Sequence, residues 1–383
     1  MAGSNTRRDF FSHSGALMGA GLLASALPRN AGAATSKGPH DFIIVEGHRD
    51  MWELSGRTRL KEKAQHSPIT NFVAQRLIDG GVSVCIMPAG GDSLDERDGT
   101  EAAFEGSMRV LDLILSDIDQ ATGKVSLIKT KADIPTAPNN GKLQVFLDIE
   151  GGACIQANEP EPRFPPDRSL ALLRQFFRLG VRGLQLTHNG RNQLADGRGI
   201  DKMGSKLTQF GVEVIQEMNR LGMMVGVSHL SANGVFHAAE ISKTPIVSTH
   251  QNLERFVQSK PLVEITDEEA KVIAKTGGIV GIRYIVNVTT YKQLVDEVEY
   301  LAKLIGPEHI GVGWLGHDKA NPNNRETEGH FSKTYSGVET ETMSEHWTNF
   351  IKMLSERGFT DEHIGMLLGG NYMRVWKQIL PGA

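Results

Sequence analysis

The chain has 383 residues, of which 39% are hydrophobic, 22% charged and 6% aromatic, so wholesale disorder is excluded. A net charge of −4, from 41 basic and 45 acidic side chains, excludes the basic footprint of a nucleic-acid binder. Two cysteines exclude a disulfide scaffold and a Cys-rich zinc module.

Residues 1–34 read as a leader. Arg7-Arg8 resembles a twin-arginine signal, an uncharged stretch runs from Gly15 to Leu27, and Ala31-Gly32-Ala33 offers small residues for cleavage. The apolar run is about 13 residues, short of the ~20 that span a bilayer. The expectation is export of the folded chain by the twin-arginine machinery to the periplasm, leaving 35–383 as a single domain.

From residue 40 onward, short β-rich runs alternate with amphipathic ones. The predicted strands are Phe42–Gly47, Val82–Pro88, Leu143–Ile149, Gly183–Thr187, Met223–Ser228, Pro245–Thr249, Ile279–Tyr284 and Ile310–Trp314. Helical periodicity falls between them at Asn71–Asp79, Ser107–Ile118, Leu170–Leu179, Thr208–Leu221, Asp267–Lys275 and Leu294–Ile305. Strand-then-helix alternation predicts a parallel sheet, and eight such units fit an α/β fold of the (β/α)8 TIM-barrel type. Val125–Lys129 reads as a small extra strand. Pro160–Pro166 and Asn321–Tyr335 read as surface loops. Cys85 and Cys154 lie in or beside apolar runs and read as buried free thiols.

Potential metal ligands stand where predicted strands end: His48 and Asp50 after the first, Glu150 after Phe146–Ile149, His229 after Met224–Ser228, and His250 after Ile246–Thr249. His188 ends a further strand. In a parallel barrel all strand C-termini meet on one rim, so residues distant in sequence converge there. His-x-Asp puts both side chains on one side of an extended chain. Three imidazoles and two carboxylates make a mixed N/O donor set suited to Zn²⁺ or a similar divalent ion. Glu150, between the other ligand strands, is the natural bridge if two ions are held. Taken singly, a histidine at a strand end is more often structural, and Asp50 could cap the next helix. The signal lies in the repetition around one barrel.

These motifs resemble the membrane dipeptidase (renal dipeptidase-like) family, a branch of the amidohydrolase superfamily. Glu46-Gly47-His48-Arg49-Asp50 is similar to its D-G-H-N-D start, and Glu150-Gly151-Gly152 to its bridging-carboxylate motif. Leu186-Thr187-His188-Asn189 with Asn192 and Ala195-Asp196-Gly197, Ser228-His229, Ser248-Thr249-His250 and Gly369-Gly370-Asn371-Tyr372-Met373-Arg374-Val375 follow in the family's order. The resemblance covers residues 41–380. It implies a binuclear zinc site in which His48 and Asp50 hold one ion, His229 and His250 the other, and Glu150 bridges. It further implies hydrolysis of dipeptides, including ones with a C-terminal D-residue, by a metal-activated hydroxide. His188 would contact the substrate carbonyl and stabilise the oxyanion. A homodimer is common in the family.

The last strand departs from the pattern. Aligned without a gap, Leu315 stands where the family carries its proton-shuttling Asp, and leucine can neither accept nor deliver a proton. Asp318 or His317 could take over, or the role could be lost. For the substrate carboxylate, Arg255 and Lys260 are the basic candidates after His250. Arg49, beside the ligands, could face an anionic substrate group or pair with a nearby carboxylate. Two functions therefore stand: a zinc dipeptidase acting on small peptides, and a divergent non-peptidase member that matures a peptide natural product such as a siderophore.

Overall fold

The computed structural model describes residues 35–49, 74–92, 100–121, 123–155, 167–257, 264–284, 290–315 and 343–382. Eight parallel strands follow one another around a barrel: β1 (Ile44–Glu46), β2 (Val82–Gly91), β4 (Leu143–Glu150), β5 (Gly183–Gln185), β6 (Met224–Gly226), β7 (Ile246–Ser248), β8 (Ile279–Arg283) and β9 (Ile310–Trp314). The short β3 (Val125–Leu127) lies off this path and pairs with β4. The ring closes where Gly47 donates to the Val312 carbonyl at 2.9 Å and His48 to that of Gly313 at 3.0 Å. All eight predicted strands are present, and the (β/α)8 reading holds.

Helices α1 (Ala74–Asp79), α2 (Thr100–Gln120), α3 (Asp167–Arg178), α4 (Gln209–Leu221), α5 (Ala232–Ile241), α6 (Asp267–Lys275) and α7 (Tyr291–Ile305) fall between the strands, followed by α8 (Met343–Glu356), α9 (Asp361–Gly365) and α10 (Asn371–Ile379). Their ends follow local chemistry. The Thr208 hydroxyl accepts from Gly211 at the start of α4, and left-handed Gly222 stops it. Thr266 with Glu269 and Thr290 with Gln293 form capping boxes for α6 and α7. On α7, Leu294, Val295, Val298, Leu301, Ala302 and Ile305 are buried, one face at helical spacing against the sheet. Among the described residues, no helix is long and apolar enough to cross a membrane.

Side chains alternate across each strand, which separates two apolar layers. Cys85 and Met87 join the layer beneath the helices, whereas Val84 and Ile86 belong to a smaller core with Val45, Phe146, Met224, Val247 and Ile279. Helix α10 completes that inner core with Tyr372, Val375, Trp376 and Ile379. Trp376 stacks on Phe146, with centroids 4.7 Å apart and planes 9° from parallel. Arg374 binds the Gly277 and Glu308 carbonyls, which precede β8 and β9, so α10 sits across the strands' N-terminal ends. Tyr372 reaches up the barrel axis and donates to the Thr249 carbonyl at 3.2 Å. Room for its ring comes from Gly311, where a Cβ would stand 2.6 Å from the Tyr372 Cε2 atom. Cys85 and Cys154 are free and buried, as expected, and burial pushes the Cys154 thiol up to about 12.

Candidate metal centre

The residues just beyond β1, β5, β6 and β7, and the last residue of β4, bring His48, His188, His229, His250 and Glu150 to one place. Their donor atoms form two overlapping groups: His48 with Glu150 and His250, and Glu150 with His188 and His229. Within each group the atoms lie within 4.8 Å of one another, and Glu150 belongs to both. Glu150 Oε1 is 3.3 Å from Nε2 of His229, 3.3 Å from Nε2 of His250 and 3.9 Å from Nε2 of His48. The His48 ring stacks on His250 with centroids 3.9 Å apart, and Trp314 walls both at 5.7 and 5.5 Å. His188, part-buried, tilts against His229 at 4.5 Å.

Backbone strain helps to aim one of these donors. His229 has φ of +64°, the only positive φ at a non-glycine among the described residues. Such a conformation costs about 1–3 kcal/mol and persists where its surroundings over-determine it. Here the His229 carbonyl accepts from Arg198 N–H at 2.7 Å, and Leu230 N–H closes the turn onto Val227 at 3.3 Å.

The far side of each imidazole meets a polar side chain. His229 Nδ1 lies 3.0 Å from Asn189 Oδ1, and His250 Nδ1 lies 2.8 Å from the Thr249 hydroxyl. With the N–H on each Nδ1, the tautomer that a metal ligand needs, both Nε2 atoms, 2.8 Å apart beside the Glu150 carboxylate, would carry lone pairs. Lone pairs so converged repel unless a cation is shared among them, so the donors fit a divalent metal with histidine and carboxylate ligands. Burial, reinforced by nearby His188, pushes His229 down to about 4, and burial and His48 hold His250 well below its usual value. Burial alone would raise the Glu150 carboxyl, but His48, His229 and His250 around it hold it well below the usual carboxylate range. Neutral imidazoles and an ionised carboxylate are the ligand forms a metal needs.

Asp92, just past β2, is a further residue beside the centre that the sequence reading did not single out. Its Oδ1 accepts from Ala153 N–H at 2.7 Å. Its Oδ2 accepts from His188 N–H and from the Asn192 amide, both at 2.9 Å. It thereby ties the turn after Glu150 to the loop that carries His188. Gly151 makes this approach possible, since a Cβ there would lie 2.2 Å from the Asp92 carboxyl carbon. Burial pushes Asp92 up to about 6 against these three hydrogen bonds. The only prior signal was Gly90-Gly91-Asp92 at a strand end that lacked a ligand candidate.

Other expected site residues fall elsewhere. Asp50, Lys260, His317 and Asp318 lie outside the described residues, as do the leader 1–34 and the loops at 160–166 and 321–335. Arg255 pairs with Asp267 at 3.1 Å and lies over the Tyr300 ring at 4.3 Å. Arg49 turns to Glu46, its Nε donating at 2.9 Å. Leu315 is fully buried in the apolar layer. Arg283 is buried, its guanidinium 5.2 Å from the Trp314 ring, and pairs with Glu264 at 2.6 Å.

Fold and donor set together define a class: barrel proteins with a histidine–carboxylate metal cluster on the C-terminal rim, where active sites of such barrels lie. The chain belongs to the family described as membrane dipeptidase (peptidase family M19), whose model matches residues 39–324. It is 29% identical over 359 residues to Dipeptidase 3 of Mus musculus, covering 88% of this chain and 65% of that one. It is also 29% identical over 258 residues to an uncharacterized dipeptidase of Schizosaccharomyces pombe, covering 63% of this chain and 54% of the relative. The chain thus spans less than two thirds of the length of either relative. Among solved structures, a metallo peptidase from Rhodobacter sphaeroides, liganded with a phosphinate mimic of L-Ala-D-Ala, superposes with a TM-score of 0.71 at 17% identity. That match covers 88% of this chain and 100% of the other, and establishes the shared fold.

Proposed function

We propose that the chain is a metal-dependent dipeptidase with a two-zinc site, for which Glu150, common to both donor groups, would be the shared ligand. The observation that carries this reading is the convergence of His48, His229 and His250 on one buried carboxylate at the barrel rim. Asp50, which follows His48 by two positions in the sequence, would complete the ligand set. Zinc bound there would supply a Lewis acid and a water acidified toward neutral pH. The protein's own groups do the rest. His188, its backbone anchored by Asp92, donates a hydrogen bond to the scissile carbonyl, where charge develops only in the transition state. Trp314 narrows the mouth beside His48 and His250 and limits the size of the peptide accepted. Asp318 takes the proton-carrying role that Leu315 cannot fill, with His317 as its alternative. Arg255 and Lys260 are the candidate holders of the substrate carboxylate, and Arg255 would first have to leave Asp267. Arg7-Arg8 supports export to the periplasm.

The test is hydrolysis of a panel of L,L and L,D dipeptides by the zinc-loaded mature protein, with Glu150→Ala as control. Turnover that vanishes in the control is expected. No turnover from protein holding two ions refutes the reading.

Burial of an apolar Leu315 at the strand-nine position favours a second reading: a family member that acts on one peptide natural product rather than on free dipeptides. Turnover confined to a large peptide, with the whole dipeptide panel inert, would select it.

A further inference from the structure

Arg198 is wholly buried, and so is its partner Glu269, the third residue of α6. Its backbone N–H donates to the His229 carbonyl at 2.7 Å. Its side chain reaches three further groups. Nε donates to the Leu230 carbonyl at 3.2 Å, a terminal nitrogen donates to the Glu264 carbonyl at 2.9 Å, and the fork closes on the Glu269 carboxylate. We propose that Arg198 is a positioning residue of the metal centre, whose guanidinium clamps the turn that carries His229 to the segment paired with the chain beyond His250, and so fixes the spacing of the two imidazoles.

The need for a clamp comes from the backbone. His229 has φ of +64°, and its ring meets Glu150 only while that left-handed conformation holds. A relaxed backbone would swing the imidazole off the carboxylate. The restraint has to act on the peptide groups after His229, and Arg198 binds two of their carbonyls, one through its main chain and one through Nε. Gly197 bridges to Leu230 and keeps the two segments alongside. On the other side, Glu264 Oε2 accepts from Asn252 N–H at 2.7 Å, and Ile265 N–H donates to the Asn252 carbonyl at 3.0 Å. Asn252 lies two residues past His250. One guanidinium is thereby tied to the backbone beside both histidines, whose Nε2 atoms stand 2.8 Å apart. Glu269 supplies the opposing charge and also accepts from Thr266 N–H at 2.9 Å in the capping box of α6. An apolar pair of the same volume would serve stability as well as this buried ion pair. What it could not do is hold several acceptors in fixed directions, which the planar fork does.

This role rests on the two-zinc reading for what the histidines hold. Three variants test it. Arg198→Lys keeps a charge opposite Glu269 but has no fork to span the acceptors. Glu269→Gln keeps the capping box and weakens the anchor. Arg374→Lys makes the same exchange at the barrel floor, where Arg374 binds the Gly277 and Glu308 carbonyls, and is the control for lost stability. The measurements are zinc affinity by chelator competition, the visible spectrum of the cobalt-loaded protein, and urea unfolding of the metal-free protein. Arg198→Lys should bind one of its two zinc ions about tenfold more weakly and shift the cobalt spectrum, and Glu269→Gln should lose about threefold. Arg374→Lys should keep the parent's affinity and spectrum, whatever stability it loses. Parent-like affinity and spectrum in Arg198→Lys overturn the proposal. So does an equal fall in Arg374→Lys, which marks a general loss of stability. If Arg198→Lys does not fold, Glu269→Gln decides, and unchanged zinc affinity there overturns it. A parent protein that binds no zinc overturns the two-zinc reading and this role together. A parent that binds two zinc ions and hydrolyses no dipeptide overturns the peptidase reading alone, and the affinities still decide for Arg198.

Discussion

Asp148 is an acid with no solvent. It sits on β4 two residues before Glu150, so both point to the barrel interior, and it is fully buried. Its Oδ1 accepts from Ile149 N–H at 2.8 Å and its Oδ2 from the Gln185 amide at 3.2 Å. Burial, with repulsion from Glu150 added, outweighs those bonds and pushes it up to about 7 from 3.8. An acid raised in the folded state gives up its proton earlier in the unfolded chain. Stability is therefore complete below pH 3.8, falls as pH rises toward about 7, and is flat above. At 1.36 kcal/mol per pH unit the loss is about 4 kcal/mol by pH 8, and about 3 kcal/mol of it accrues between pH 5 and 8. Asp148→Asn removes the titration. Gln185 can turn its amide over to present Oε1, which is now buried without a partner, to the new NH₂ group, so the number of unpaired groups does not rise. The variant should be more stable than the parent at pH 8 by about 1–3 kcal/mol after relaxation, and nearly level with it at pH 5. Urea unfolding of metal-free protein at several pH values reads this directly. A variant that is less stable at pH 8, or a gap that does not widen with pH, refutes the reasoning. With zinc bound the gap should shrink, because nearby cations favour the ionised acid.

Other expectations follow from the same geometry. His229, held at about 4, takes its proton later than an unfolded histidine at 6.5, so metal-free protein should lose about 3 kcal/mol as pH falls from 6.5 to 4. His229→Asn, which tolerates the same backbone, should flatten that acid limb in urea titrations while abolishing zinc binding. Asp92→Asn leaves one acceptor for three donors. It should cost about 2–4 kcal/mol in unfolding and about 10–100-fold in kcat/KM, and unchanged kinetics would detach Asp92 from the site. Gly311→Ala sets a methyl 2.6 Å from Tyr372 and should destabilise by about 1–3 kcal/mol. Adding Tyr372→Leu should recover part of that loss, and strictly additive costs would place the clash elsewhere. Arg7→Lys with Arg8→Lys should leave the protein in the cytoplasm on fractionation; undiminished export would dismiss the twin-arginine reading.

The strands were legible because each is a short apolar run closed by glycine or a polar residue, and parallel alternation admits few topologies. Closure of the ring then made strand ends neighbours, which is why His48, Glu150, His188, His229 and His250 could be grouped before any geometry was known. Helix α5 was not legible, since Ala232-Asn233-Gly234 opens it without an apolar stripe. Asp92 was hidden for a different reason: its partners are two backbone N–H groups and an amide 61 to 100 residues away, and no local pattern encodes them. Arg255 followed a charge-based expectation, yet Asp267 at the head of α6 and the face of Tyr300 are its partners here. Sequence distance from a ligand does not tell which way a long side chain turns.

Tyr372 and Trp376 cork the barrel at its floor, while the histidines occupy its upper end. A barrel filled at that end leaves the histidines no approach through its floor. If the centre cleaves a peptide as proposed, substrate and both fragments would share the rim above Glu150, and retained product would compete with the next substrate.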